Sequence, residues 1–140
     1  RFLIEVQAIP QVDISPELRV LSDEPWLVFM LSQVVTNAAQ YGARTITFTA
    51  RVEEPDTPRG RTVLEVRDDG CGISEADMPR IFDRGFTGSN GRARGTATGM
   101  GLYLVALMSS RLGLSVSAAS ETGVGTRMIF GFPHDRSRLP

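Results

Sequence analysis

The 140-residue sequence predicts an α+β fold, a two-layer sandwich in which a mixed sheet of about five strands carries three helices on one face. Three observations predict it. Residues 44–50 and 61–67 are rich in β-branched side chains and flank a proline-containing turn, as a hairpin does. Residues 114–120 and 125–132 read as a final hairpin with Glu121-Thr122-Gly123 at its turn. Two further stretches, 22–41 and 99–112, space their apolar residues three and four apart, the period of a helix with one buried face.

Taken in order, Phe2 to Ile9 reads as the first strand, and a second short one is expected near Leu18 to Leu21. Ser22 or Asp23 caps a helix with Pro25 just inside it. That helix runs to about Tyr41, turns its stripe of Trp26, Phe29, Met30, Val34 and Ala38 to the core, and stops at Gly42. The hairpin that follows turns at 53–60 and delivers Asp68 at the end of its returning strand. A short helix is expected from Ser74 to about Phe82, with Glu75 and Asp77 in its first turn. Residues 84–98 lack apolar periodicity and read as a lid. The last helix has Leu102, Val105, Ser109 and Leu112 as its core stripe and Gly113 as its stop. One domain is expected over residues 1–133, followed by a polar, frayed tail over 134–140.

The bulk numbers exclude several classes. A net charge of −1 gives no broad basic field, so nucleic acid is not expected as a partner. A single cysteine, Cys71, rules out an internal disulfide framework. No apolar run is long enough to cross a bilayer. All 15 basic residues are arginine, which excludes the phosphate-binding lysine of a P-loop. The chain begins at Arg1 without a methionine, as a fragment of a longer protein would.

Eight of the 14 glycines (70, 72, 85, 88, 91, 95, 99 and 101) fall between Asp68 and Leu102. Glycine costs backbone entropy on folding, so this concentration calls for positive φ angles or close approach to another group. With Arg84, Arg92 and Arg94 and no carboxylate, residues 84–101 suit a polyanion such as a nucleotide. Gly99 and Gly101 open a helix whose free N–H groups and dipole favour phosphate oxygens.

Asn37, Asp68-Asp69-Gly70-Cys71-Gly72, Phe82 with Phe86, Gly99-Met100-Gly101-Leu102 and Gly123-Val124-Gly125-Thr126 occur in that order. This order resembles the N, G1, F, G2 and G3 boxes of the GHKL (HATPase, Bergerat-fold) ATP-binding domains of histidine kinases, Hsp90, MutL and gyrase B. The resemblance spans nearly the whole chain and implies ATP with Mg²⁺ as ligands. By resemblance, Asp68 accepts a hydrogen bond from the adenine amino group and Thr126 works beside it, with Gly70, Gly72 and Ile73 passing close to the base. Asn37 then holds Mg²⁺ through an uncharged oxygen, with Tyr41 near the phosphates. Phe82, Phe86 and Thr87 belong to the lid, and Gly99, Met100, Gly101 and Leu102 to the phosphate-binding helix start. Arg84 is the expected catalytic cation. Asp69 is expected to face solvent, Cys71 simply to pack, and His134, in a tail with no helix around it, to be a bystander.

Two departures matter. Hydrolytic branches of the superfamily carry a glutamate general base one turn before the asparagine, where this chain has Gln33, which cannot take a proton. Gln40 stands where many histidine kinases have a basic residue three positions after the asparagine. The first departure favours phosphoryl transfer over hydrolysis. The resemblance thus implies the catalytic domain of a bacterial sensor histidine kinase, a two-component protein kinase. Its γ-phosphate goes to a histidine on separate dimerisation helices and then to a response regulator receiver domain. The parent is expected to be a membrane-anchored homodimer in the bacterial inner membrane, with this domain cytoplasmic. Segments 26–41, 85–92 and 98–104 resemble kinases that sense antimicrobial peptides or envelope stress. Two alternatives stay open: a nucleotide-binding switch without transfer activity, and an anti-sigma-type serine kinase.

Overall fold

Strand and helix boundaries follow from local chemistry that the sequence shows. The structure, a computed structural model, describes residues 9–14, 20, 22–86 and 100–134. Its elements are β1 (Ile9–Asp13), α1 (Glu24–Gln40), β2 (Thr45–Glu53), β3 (Arg61–Asp68), a 3₁₀ turn (Met78–Arg80), α2 (Gly101–Leu112), β4 (Ser115–Glu121) and β5 (Gly125–Pro133).

Asp23 caps α1 by accepting the Trp26 N–H at 3.3 Å, and Pro25 sits in the first turn. The helix closes on Gly42 at φ 82°, with the Ala43 N–H returning to the Ala38 carbonyl at 3.1 Å. α2 ends the same way: Gly113 is left-handed and Leu114 N–H reaches the Ser109 carbonyl at 2.8 Å. The β2–β3 hairpin is flush, with Glu53 opposite Arg61 and an ion pair of 2.9 Å between them.

The five strands form one sheet in the order β1-β2-β3-β5-β4, parallel between β1 and β2 and antiparallel elsewhere. This is the mixed sheet expected. One face packs on the helices: Ile46, Val66, Met128, Phe130 and Phe132 meet Met30, Val34, Ala38, Leu102 and Val105 in a single core. Each large side chain so buried contributes about 1.5–3 kcal/mol. The buried hydroxyl of Ser109 donates to Met30 Sδ at 3.5 Å, joining α2 to α1. The opposite face is charged. There Glu65, its side chain only 7% exposed, is shared by Arg51 at 3.5 Å, Arg67 at 3.2 Å and Arg127 at 3.4 Å.

Several expectations need correction. The first described strand, Ile9–Asp13, continues past the expected end at Ile9 and runs through Pro10, which an edge strand tolerates. Residues 2–8 and the expected strand near Leu18 to Leu21 lie outside the described residues, apart from Val20. The helix expected over Ser74–Phe82 is only the 3₁₀ turn, so the described helical layer is two α-helices and that turn. Pro79 has no N–H to extend a helix, and Ser74 satisfies Asp77 and Met78 with a single carbonyl. Trp26 does not join the core: it is 47% exposed and meets Phe29 edge-on at 5.9 Å. His134 is tied down, its N–H on the Gly60 carbonyl at 2.9 Å and its Nε2 at 2.8 Å from Thr62 Oγ1.

Candidate functional site

The site begins where β3 ends. Asp68 occupies the last position of the central strand, paired in register with Ile46 on one side and Thr126 on the other. Its Oδ1 accepts two backbone N–H groups, from Gly70 at 2.9 Å and Thr126 at 3.3 Å. These bonds fix the carboxylate's orientation and leave Oδ2 with no hydrogen-bond partner among the described residues. Burial raises the Asp68 pKa above the usual aspartate value, the two N–H bonds pull it back in part, and Asp69 adds a smaller upward push. A half-buried carboxylate with one oxygen unpartnered among the described residues can accept a further hydrogen bond.

The glycines beside it serve the protein's own backbone first. A Cβ on Gly70 would come within 2.8 Å of the Tyr41 carbonyl, so the loop can cross the end of α1 only with glycine there. Gly125, at φ 146°, lies so close to the Asp68 carbonyl that no side chain fits. Cys71 N–H bonds the Tyr41 carbonyl at 3.0 Å, and its own carbonyl accepts Gly123 N–H at 2.8 Å. The thiol-bearing residue is exposed, contrary to the expectation that it packs. Ile73 is 5% exposed and belongs to the core. Its N–H donates to Ser120 Oγ at 2.7 Å, and that oxygen also lies 3.0 Å from the Gly125 carbonyl and 2.9 Å from Thr126 Oγ1.

Helix α1 supplies the next wall. Gln33, Asn37 and Tyr41 recur every four residues and share one face. A Cβ on Gly101 would lie 3.0 Å from Gln33 Oε1, so this face meets the start of α2. The Asn37 amide has no hydrogen-bond partner among the described residues. Burial, and then Asp77 and Cys71 nearby, raise the Tyr41 hydroxyl, which stays a neutral donor. α2 opens at Gly101 after Met100 with no side-chain cap and no acidic residue in its first turn, so the helix dipole there favours an anion. Leu102 is buried in the core.

Phe82 and Phe86 both pack at the margin of the core, and the Arg80 guanidinium lies 5.0 Å over the Phe86 ring. Arg84, between them, is exposed, with no ion pair among the described residues. Thr87 and Gly99, with Arg92 and Arg94, lie outside the described residues.

Asp68, Gly70, Gly72, Ile73, Tyr41 and Thr126 thus come together around the end of β3. Asn37 lies one helical turn before Tyr41, and Met100, Gly101 and Leu102 begin the helix that meets Gln33. A cavity of about 570 Å³ at the end of β3 is lined by Thr45, Thr47, Arg67 and Arg127 and also by Asp68 and Thr126, but not by Asn37, Tyr41 or Gly101. Sequence reasoning missed three residues. Asp69 is exposed but not idle: its carboxylate accepts Arg44 N–H at 2.7 Å and Thr45 N–H at 2.9 Å, and these bonds lower its pKa. Arg80 covers Phe86. Ser120 faces Thr126 across the last hairpin, a position obtainable by counting back from the turn at 122–124.

The domain is thus a two-layer α+β fold with a carboxylate fixed at a central strand end and a second helix that starts without a side-chain cap. The chain belongs to the histidine kinase-, DNA gyrase B-, and HSP90-like ATPase family, whose family profile matches residues 22–136. ATP binding comes with that membership. Its relatives include the sensor histidine kinase YxdK of Bacillus subtilis, 38% identical over 133 residues, which cover 94% of this chain and 40% of that protein. GraS of Staphylococcus epidermidis, also a sensor histidine kinase, is 40% identical over 124 residues, 88% of this chain and 34% of that protein. The sensor protein BceS of Bacillus subtilis is 39% identical over 115 residues, 81% of this chain and 33% of that protein. The chain therefore spans well under half the length of these relatives. Among solved structures, full-length ShkA in complex with AMPPNP matches with a TM-score of 0.67 and 25% identity, over 89% of this chain and 25% of that one. The mycobacterial sensor histidine kinase MprB shares the fold, with a TM-score of 0.69 at 21% identity over 91% of this chain and 82% of that one. Among the described residues no helix is long and apolar enough to cross a membrane.

Proposed function

We propose that this chain is the ATP-binding catalytic domain of a sensor histidine kinase. It binds Mg·ATP and presents the γ-phosphate to a histidine on separate dimerisation helices, from which a response regulator aspartate takes the phosphoryl group. In the parent protein the domain sits on the cytoplasmic side of a membrane-anchored homodimer. The observation that carries the reading is Asp68, whose Oδ1 is pinned by Gly70 and Thr126 while Oδ2 remains for the adenine amino group.

The other residues fit the phosphate end. Asn37, whose amide has no hydrogen-bond partner among the described residues, would hold Mg²⁺ through its uncharged oxygen when Mg·ATP binds. When bound, Mg²⁺ neutralises charge on the transferring phosphate. Gln33, beside Gly101, offers no general base to a water. Arg84, exposed and without an ion pair among the described residues, is the cation we assign to developing charge on the phosphate. Positioning and charge stabilisation dominate phosphoryl transfer, so the lone domain binds ATP and does little chemistry.

The test supplies radiolabelled ATP and a histidine-bearing dimerisation helix in trans. Label should appear on the histidine with little free phosphate, and Arg84→Ala should slow transfer more than it weakens ADP binding. Rapid phosphate release by the chain alone, surviving Arg84→Ala, would replace the kinase reading with a hydrolase. Label on serine of a partner would move it to the serine-kinase class.

A further inference from the structure

Arg80 has a carboxylate three residues to either side, Asp77 and Asp83, and forms an ion pair with neither. Its guanidinium lies instead 5.0 Å over the Phe86 ring. The backbone between those two residues is one connected series of turns. Asp83 N–H bonds the Arg80 carbonyl at 2.9 Å, and Phe86 N–H bonds the Asp83 carbonyl at 3.2 Å. Residues 83–86 therefore form a β-turn, and its third residue, Gly85, takes φ 81°, as a type II turn demands. A Cβ on Gly85 would meet nothing within 4 Å, so glycine is needed there for the backbone angle and not for space. Arg84 is the second residue of that turn and stands at its exposed corner.

Both ends of the turn are held. Before it, Ile81 is buried and Phe82 packs at the margin of the core. After it, Phe86 packs against the same core while Arg80 covers its ring. We propose that Arg80 is a positioning residue for phosphoryl transfer: it keeps Phe86 seated and so fixes the corner on which Arg84 stands. A guanidinium spent on Asp77 or Asp83 would leave the ring uncovered. Preorganised charge acts only at the right distance from the charge that develops, so a loosened corner costs rate before it costs affinity. The inference rests on the reading of Arg84 as the cation that meets the transferring phosphate.

The experiment uses the 140-residue chain and measures radiolabel transfer to a histidine-bearing dimerisation helix in trans, beside ADP affinity by calorimetry. Arg80 is exposed, so its substitution leaves the core intact. In Arg80→Gln transfer should fall about twofold to fivefold, the scale of one exposed cation–π contact, with ADP affinity unchanged. Arg80→Lys keeps a cation over the ring and should restore the rate. Equal losses in transfer and ADP affinity, or equal losses in the Gln and Lys variants, would overturn the proposal. Exchange of the Phe86 amide proton, followed by NMR, reads the turn without any chemistry. It should quicken about twofold to fivefold in Arg80→Gln and not in Arg80→Lys, and an unchanged rate overturns the proposal even where no label is transferred. Arg84→Ala separates the two levels. In that background Arg80→Gln should slow transfer no further, and an additive loss refutes action through Arg84. Transfer unaffected by Arg84→Ala removes the reading of Arg84 and the proposal with it. Transfer slowed by Arg84→Ala but not by Arg80→Gln refutes the role of Arg80 alone.

Discussion

Replacing Asp68 with asparagine should push folding and binding in opposite directions. The side-chain oxygen of asparagine can keep both N–H bonds now made to Oδ1, from Gly70 and Thr126, so the loop and strand stay joined. What changes is the other atom: an unpartnered carboxylate oxygen becomes an NH₂, a donor aimed at the donor on the base. The loss is one charge-assisted hydrogen bond, about 1.5–3 kcal/mol, or roughly a 10- to 150-fold rise in the ADP dissociation constant. Stability moves the other way. Burial is the largest cause of the raised Asp68 pKa, so the charged form is the one the fold penalises. A carboxyl whose pKa is higher folded than unfolded contributes stability that is complete below the unfolded value and lost as pH rises through the folded one. The melting temperature of Asp68→Asn relative to wild type should therefore climb from acid to neutral pH. Binding carries the complementary signature. ADP affinity of the wild type should weaken on acidification at a higher pH than an ordinary aspartate would dictate, and the asparagine variant should lack that limb. Calorimetric titration across pH, beside thermal melts of both proteins, reads both quantities. Unchanged ADP affinity in the folded variant, or an acid limb shared by both proteins, would refute the reasoning.

Asn37→Ala should weaken ATP binding far more in Mg²⁺ than in EDTA, because its proposed contact runs through the ion; equal losses in titrations under both conditions would mark a packing role instead. Gly125→Ala forces a side chain onto the Asp68 carbonyl at a φ of 146°, so denaturant melts should show a loss of at least about 2–3 kcal/mol. A near-neutral result would mean that the β5 start relaxes easily.

Much of this fold was legible because its signals are local. Asp23 with Pro25, Gly42 and Gly113 are start and stop residues that act within one turn, and the β2–β3 hairpin announces itself by flanking β-branched runs. The 3₁₀ turn at Met78–Arg80 was misread as a helix because Glu75 and Asp77 gave a good first turn while Pro79 removed the donor needed to continue it. Trp26 fits the helical stripe by spacing yet sits too near the helix start to reach the sheet. Asp68 and Thr126 could be singled out by resemblance, but nothing in one dimension says that Oδ1 is occupied and Oδ2 is not. Asp69 looked like a spare carboxylate because its partners, the N–H groups of Arg44 and Thr45, lie on another strand. Ser120 was invisible for the same reason: its three contacts span 47, 5 and 6 residues of sequence.

Asp68, the carboxylate proposed to read the base, stands on β3, which among the described strands is flanked by antiparallel neighbours along its full length. Local opening of a sheet starts from its margins, here β1 and β4, and reaches the centre only when the whole domain unfolds. Amide protons of Val66 and Asp68 should therefore exchange with solvent at the rate of global unfolding. Nucleotide should slow them only as far as it raises total stability. On the proposed reading, the base would then meet a contact set in the most slowly opening part of the sheet, formed before the ligand arrives.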